Sequence, residues 1–278
     1  MNDCTTADRV WLQLSQLRQL SVAVLVLIPS WTAPVWSASP EPGSMTESRP
    51  MGDSTPLTVI RTIHDLNSPD EPVSVHWAVF DGNLAFDLPQ SEARFWTILD
   101  FDRGEIVLLD GQRRVRSSVG IEYLQQAVAR WHAEVTDPAK RRQLGMDVRV
   151  QELDEHRCQI EFDAAHYQMT TQVPARPDHA ARFSRYVDWT LRLSMVRPSG
   201  LPPFARMTLN DHLAAAGRVA TQTRLSVHHS NSPDDVLVAQ TRFVDGIDPS
   251  ARDQVQQVRA MRITYRPVSL DDFNQSDP

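Results

Sequence analysis

Lysine is nearly missing from this chain. Of its 28 basic residues only Lys140 is a lysine, set in the run Lys140, Arg141, Arg142. Schiff-base catalysis, a lysine-linked cofactor or a phosphate-loop lysine would all have to use that one residue, and its neighbours mark it as a position on a solvated, charged helix. Cysteine is as scarce. Cys4 lies in a segment expected to be removed, so Cys158 alone would remain and no intrachain disulfide could form. Cys158 alternates with Ile160 and Phe162, and reads as a small buried residue of a strand rather than a nucleophile. Only ten glycines are present, none at the spacing of a dinucleotide fingerprint or a phosphate loop. Gly-x-Ser-x-Gly, His-Glu-x-x-His and Pro-Cys-x-x-Cys are lacking too, which removes the α/β-hydrolase nucleophile turn and the common zinc ligand sets. No nucleotide, pyridoxal phosphate, haem or stoichiometric zinc is expected as a cofactor, and no catalytic residue is assigned.

What is present describes an ordinary globular chain, with 41% apolar and 23% charged residues. A net charge of −7 gives it no reason to concentrate on nucleic acid. Arg9 and Arg18 precede the apolar run Leu20 to Ile28, and small residues follow at Ser37 and Ala38. That order predicts a secretory signal peptide over residues 1–38, cleaved near Ser37 or Ala38. Its apolar core has about half of the roughly 20 residues that span a bilayer, so the membrane is met only through the transient signal, with retention as an anchor the alternative. A periplasmic or otherwise extracytoplasmic location follows. Residues 39–56 are rich in Pro, Ser, Gly and Glu and read as a disordered linker, because they offer too little apolar surface to offset ordering entropy.

Residues 57–278 read as a single α+β domain. Val73, Val75, Trp77 and Val79 alternate with polar or small neighbours, and Asp81 with Gly82, Asp102 to Gly104, and Asp110 with Gly111 punctuate a meander through residues 73–119. Phe95, Leu99, Ile106 and Leu108 are apolar on one face of the central strands, and Trp96, Ile98, Val107 and Leu109 on the other, so both faces must be covered. Ile121, Leu124, Val128, Trp131 and Val135 form a helical stripe. Further helices are predicted after Asp137, from Asp178 to Val196, over Phe204 to Ala216 with a stop at Gly217, and after Asp248. Strand patterns recur at residues 148–169, at Val219 to Val227 and Val236 to Val244, and near Arg262 to Arg266. The sum is a curved antiparallel sheet of about ten strands, with three or four helices packed on one face.

Candidate sites are few. His228 and His229 are adjacent, so as strand residues they point to opposite faces. His132 and Glu134 share a helix surface. Asp65, Asn67, Asp70 and Glu71 form an oxygen-rich loop without the glycine and glutamate of an EF-hand, and Asp100, Asp102 and Glu105 belong to a hairpin. An apolar space between sheet and helices, lined by Trp77, Trp96, Leu124 and Trp131, is the ligand-binding expectation.

A signal peptide followed by meandering antiparallel strands interleaved with amphipathic helices resembles, in architecture, the LolA and LppX envelope half-barrels. Those shelter an acyl chain between a curved sheet and helices; none of their residue motifs is matched, and the segments Asp178 to Val196 and Phe204 to Ala216 depart from their pattern. The stretch YVDWTLRLSMVRPSGLPPFARMTLNDHL also resembles exported bacterial proteins of unassigned activity. Two functions follow as expectations: a structural or protein-interaction role with an envelope partner, or a module that binds a lipid-like ligand. A hydrolase whose site no motif marks is the third.

Overall fold

The computed structural model describes residues 55–67, 71–90, 94–197, 201–229 and 233–275. The signal segment and nearly all of the linker lie outside the described residues. Twelve strands form one open sheet, joined by six helices among the described residues. In chain order these are β1 (Leu57–Asp65), β2 (Ser74–Asp81), β3 (Leu84–Pro89), β4 (Phe95–Asp100), β5 (Glu105–Asp110) and β6 (Val115–Gly120), then α1 (Ile121–Glu134) and α2 (Pro138–Gln143). Next come β7 (Gln151–Asp154), β8 (Arg157–Phe162), β9 (Ala165–Gln172), α3 (Pro177–Leu193), α4 (Phe204–Ala215), β10 (Val219–Val227), β11 (Asp235–Asp245), α5 (Pro249–Thr264), β12 (Arg266–Pro267) and α6 (Leu270–Asn274).

The meander β1 to β6 forms through the turns its sequence marks. Gly82 and Gly104 take φ of 60° and 62°, the left-handed values that favour glycine. At Asp110 the mechanism differs from the expected Asp-Gly turn. The left-handed residue there is Arg114, and Gly111 is needed for space: a Cβ on it would lie 2.5 Å from the Trp96 ring. Asp110, fully buried, accepts the backbone N–H groups of Gln112 and Arg113 and pairs with the Arg94 and Arg113 side chains at 2.8 and 2.9 Å.

Strands β7 to β11 do not form a separate sheet. β1 pairs along its whole length with β11, from Leu57 opposite Asp245 to Asp65 opposite Leu237, and so joins the two strand groups. The single parallel pairing is β12 on β6, at the edge. At the other edge β7 is exposed throughout and carries Glu152 and Asp154, charges that discourage pairing with another chain.

The helices lie on both faces, which corrects the expected one-sided arrangement. On the inner face, α1, α3 and α6 cover Leu57, Phe80, Leu99, Ile106 and Leu108, with Phe183, Tyr186, Trp189 and Phe273 filling the interface. On the same face α4 packs Ala205, Leu209 and Leu213 against Ile160, Tyr167 and Met169. On the outer face α5 lays Ala251, Val255, Val258 and Met261, one stripe along the helix, over Val79, Phe86, Leu88, Ile98, Val107 and Leu109. Each fully buried side chain of this size contributes about 1.5–3 kcal/mol of apolar burial. α5 runs on to Thr264, through most of the stretch expected to be a last strand, which shrinks to Arg266–Pro267. Asp137 caps α2 as expected, through the N–H groups of Ala139 and Lys140. Asp178 does not cap α3, whose N-cap is Arg176; Asp178 lies in the first turn, where a negative charge suits the helix dipole. None of the described helices is long and apolar enough to cross a membrane.

Candidate functional site

Trp77, Trp96, Leu124 and Trp131 do not line one space. Trp77 and Trp96 pack into the outer cluster beneath α5. Leu124 is fully buried in the inner cluster, on the opposite side of the sheet. Trp131 sits farther along α1, 6.4 Å from the Phe204 ring. Between the sheet and α3 there is a hollow of only about 10 Å³, lined by Val59, Arg61, His76, Ala78, Phe183 and Tyr186. It has room for about one water molecule.

That hollow marks where the inner face opens. Pairing puts Val59, Arg61 and Ile63 of β1 in line with Ala78, His76 and Ser74 of β2 and with Phe243, Thr241 and Ala239 of β11. Burial fades along this direction. Leu57 and Val59 are buried, Ile63 is partly open and Arg61 is exposed. The neighbouring strands do the same: Phe80 and Ala78 are buried but His76 and Ser74 are not, and Phe243, Ala239 and Leu237 are all partly open. Leu225 of β10 lies opposite Leu237 and Tyr167 of β9 opposite Leu225, so Ile63, Ala239, Leu237 and Leu225 form one partly open aliphatic strip on the inner face that ends beside Tyr167.

Polar groups rim this strip. Asp87 of β3 accepts from His76 Nδ1 at 3.2 Å, and its carboxylate bears on Tyr186 of α3. Burial first, and then the Asp87 carboxylate, push the Tyr186 phenol well above its usual value, so it stays protonated. From the other side comes Arg206 of α4. The residue is half-buried, and burial lowers its pKa to about 10. The polar partner seen for it is the Met169 sulfur at 3.5 Å, a weak acceptor. Arg61 makes no hydrogen bond or ion pair with any described residue.

These residues were passed over in the sequence, although one signal was legible. Leu57, Val59, Arg61 and Ile63 share the apolar register of β1, and Asp87 shares that of Ala85 in β3; a charge in an inward register is the informative exception. Arg206 gave none, because a helix surface tolerates arginine at most positions.

The other candidates resolve into ordinary contacts. His228 pairs with Asp234 at 3.0 Å and His229 with Asp235 at 2.9 Å. Asp65 accepts the backbone N–H of Asn67, an Asx turn, while Asp70 lies outside the described residues. Asp100 pairs with Arg262 at 2.8 Å and Asp102 accepts from Asn83 at 2.9 Å. His132 stacks edge-on against Phe204 with 5.1 Å between centroids. Cys158 is buried, which raises its thiol above the usual value and leaves it unreactive while folded. Among the described residues no three His, Cys, Asp or Glu side chains gather as metal ligands would.

A groove of about 400 Å³ opens on the outer face, where α5 does not reach. Ile60, Thr62, Thr221, Gln222, Gln240, Thr241 and Arg242 line it. No protein-family model and no curated protein sequence matches the chain.

Proposed function

We propose that this chain is an extracytoplasmic binding protein whose ligand lies in the open part of the inner face, on β1, β11, β10 and β9. The observation that carries the reading is the strip Ile63, Ala239, Leu237 and Leu225. It is aliphatic, faces the helix side of the sheet, and is left partly open where neighbouring rows of the same face are buried. An apolar floor with a few convergent polar groups at its rim is the common form of a small-ligand site. Fluorescence titration of the full chain with 1-anilinonaphthalene-8-sulfonate tests it. The dye brightens on binding, Ile63→Glu and Leu237→Glu each weaken it by about tenfold or more, and Thr62→Glu on the outer face leaves it unchanged. Equal binding by all three variants would overturn the reading.

The outer groove favours a second reading, a role with an envelope protein partner that docks on the polar face. A photo-crosslinker attached at position 222 would then capture that partner, and one attached at position 63 would not.

A further inference from the structure

We infer that the first turns of α3 form a gate over the inner face, latched by Arg182 and a neutral His179 and opened when His179 takes up a proton; this holds whether or not the open strip binds a ligand. His179, Arg182, Phe183 and Tyr186 recur at spacings of three and four on the buried side of α3. Two of them are polar, which is the exception on a core-facing stripe. Arg182 is 2% exposed, lies over the Phe80 ring, and donates from Nη1 to the Thr55 carbonyl at 2.7 Å. Beside it the Gly246 N–H donates to the Pro56 carbonyl at 2.8 Å, so the chain is tied to α3 and to β11 where it enters β1. His179 is 5% exposed, with its ring stacked on Phe243 of β11, and Phe183 meets the same ring edge-on. His179 Nε2 and Arg182 Nε and Nη2 are buried without a hydrogen-bond partner.

An unpartnered buried imidazole is tolerated while neutral and becomes costly once charged. Among the described residues, the charges that bear on His179 are Arg176, Asp178 and Arg182 from its own end of α3 and Asp245 from β11. The neighbouring parts of β1 and β2 present Leu57, Val59, Ala78 and Phe80, which carry none. Asp245 stands 3.5 Å from Nε2, but its side chain is 72% exposed and solvent weakens its attraction. Asp178 is shared with Arg176 at 3.2 Å and Arg182 at 3.8 Å. Burial first, helped by the two arginines, therefore outweighs the carboxylates and holds the imidazole below 6.5. Once the helix start lifts and the ring reaches water, it recovers its ordinary proton affinity. The open form then binds more protons than the closed one, and opening grows easier as pH falls below about 6.5. Protonation also places a second cation three residues from Arg182 on the same helix face. Opening uncovers Val59 and Phe243, from which β1 and β11 run on to the partly open Ile63 and Ala239.

NMR of the full chain tests the gate. The His179 ring should titrate below 6.5, and Arg182→Met, which keeps a stem over Phe80 and removes the charge, should move that titration upward. From pH 7.5 to pH 5.5 the hydrogen-exchange protection of the Arg182 and Phe183 amides should fall about fivefold or more relative to Val107 and Leu108 of β5. His179→Gln, neutral at both pH values, should abolish that fall. Arg182→Met should lower protection of the Gly246 amide at pH 7.5. A His179 ring that titrates at or above 6.5, or an equal fall in His179→Gln, would overturn the proton trigger. Unchanged protection of Gly246 in Arg182→Met would overturn the latch, and parent protection that does not change with pH would overturn the gate as a whole.

Discussion

The two halves of the sheet are built to different rules. Strands β2 to β5 are covered on both faces, by α1, α3 and α6 within and α5 outside, whereas β8 to β11 are covered only by α3 and α4 on the inner face. Their sequences show the difference. β5 reads EIVLLD, with every residue after Glu105 buried; β10 reads VATQTRLSV, and its Gln222 and Arg224 are exposed. A strand inside two layers needs a continuous apolar run, and a strand with one wet face needs alternation. The half with a polar outer face also contains the open strip of the inner face, so the better-covered half serves as the scaffold and the less-covered half carries the candidate sites.

The sharpest way to break this comparison is to remove a side chain from the doubly covered half. Phe86, fully buried between β3 and α5, should cost about 3–5 kcal/mol as Phe86→Ala in chemical denaturation. A loss under 1 kcal/mol would mean that α5 does not pack there. Next comes Asp110→Ala, which leaves Arg94 and Arg113 without their buried partner and should cost about 3 kcal/mol. Burial opposes the Asp110 charge, but hydrogen bonds from Arg94 and Arg113 outweigh it and hold the carboxyl below 3.8. A carboxyl depressed on folding stabilises the protein above its unfolded pKa, and that contribution disappears as pH falls through the folded value. The deficit of the variant relative to the parent should therefore begin to shrink below about pH 4 and go on shrinking as pH falls further, read from stability against pH. If the deficit is the same at pH 3 and pH 7, the ion pairs are not its source. Gly111→Ala presses a methyl into the Trp96 ring and should cost about 1–3 kcal/mol, with a change in tryptophan fluorescence. Smallest is Gln222→Ala on the open outer face, expected to stay within about 0.5 kcal/mol of the parent. A larger loss would show that this face is covered in the folded protein.

Much of the scaffold was legible in the sequence, because the residues that make it act locally. Alternation placed the strands, the stripe of Leu124 and Val128 placed α1, and Asp137 placed the start of α2. The apolar residues on both sides of β4 and β5 already required a second cover, and Asp248 with Pro249 marked the helix that provides it. Assigning that helix to the outer face needed the sheet, since its stripe of Ala251, Val255 and Val258 would fit either side. The pairing of β1 with β11 was not legible for a related reason: the partners are far apart in sequence, and strand patterns do not name their neighbours. The candidate site was hidden by the same gap. Arg61, Asp87, Tyr186 and Arg206 come from two strands and two helices that are far apart in sequence. Large aromatic residues drew attention instead, and Trp77 and Trp96 serve the outer core.

The binding role is tested most directly on β1 itself, where Ile60 faces outward and Ile63 inward three residues apart. Methyl NMR of the isoleucine-labelled full chain during titration with dodecanoate reads both at once. The account predicts that the Ile63 methyl shifts in a saturable way while those of Ile60 and Ile98 stay in place. Saturable shifts at Ile60 with Ile63 unmoved would contradict it and assign the site to the outer groove.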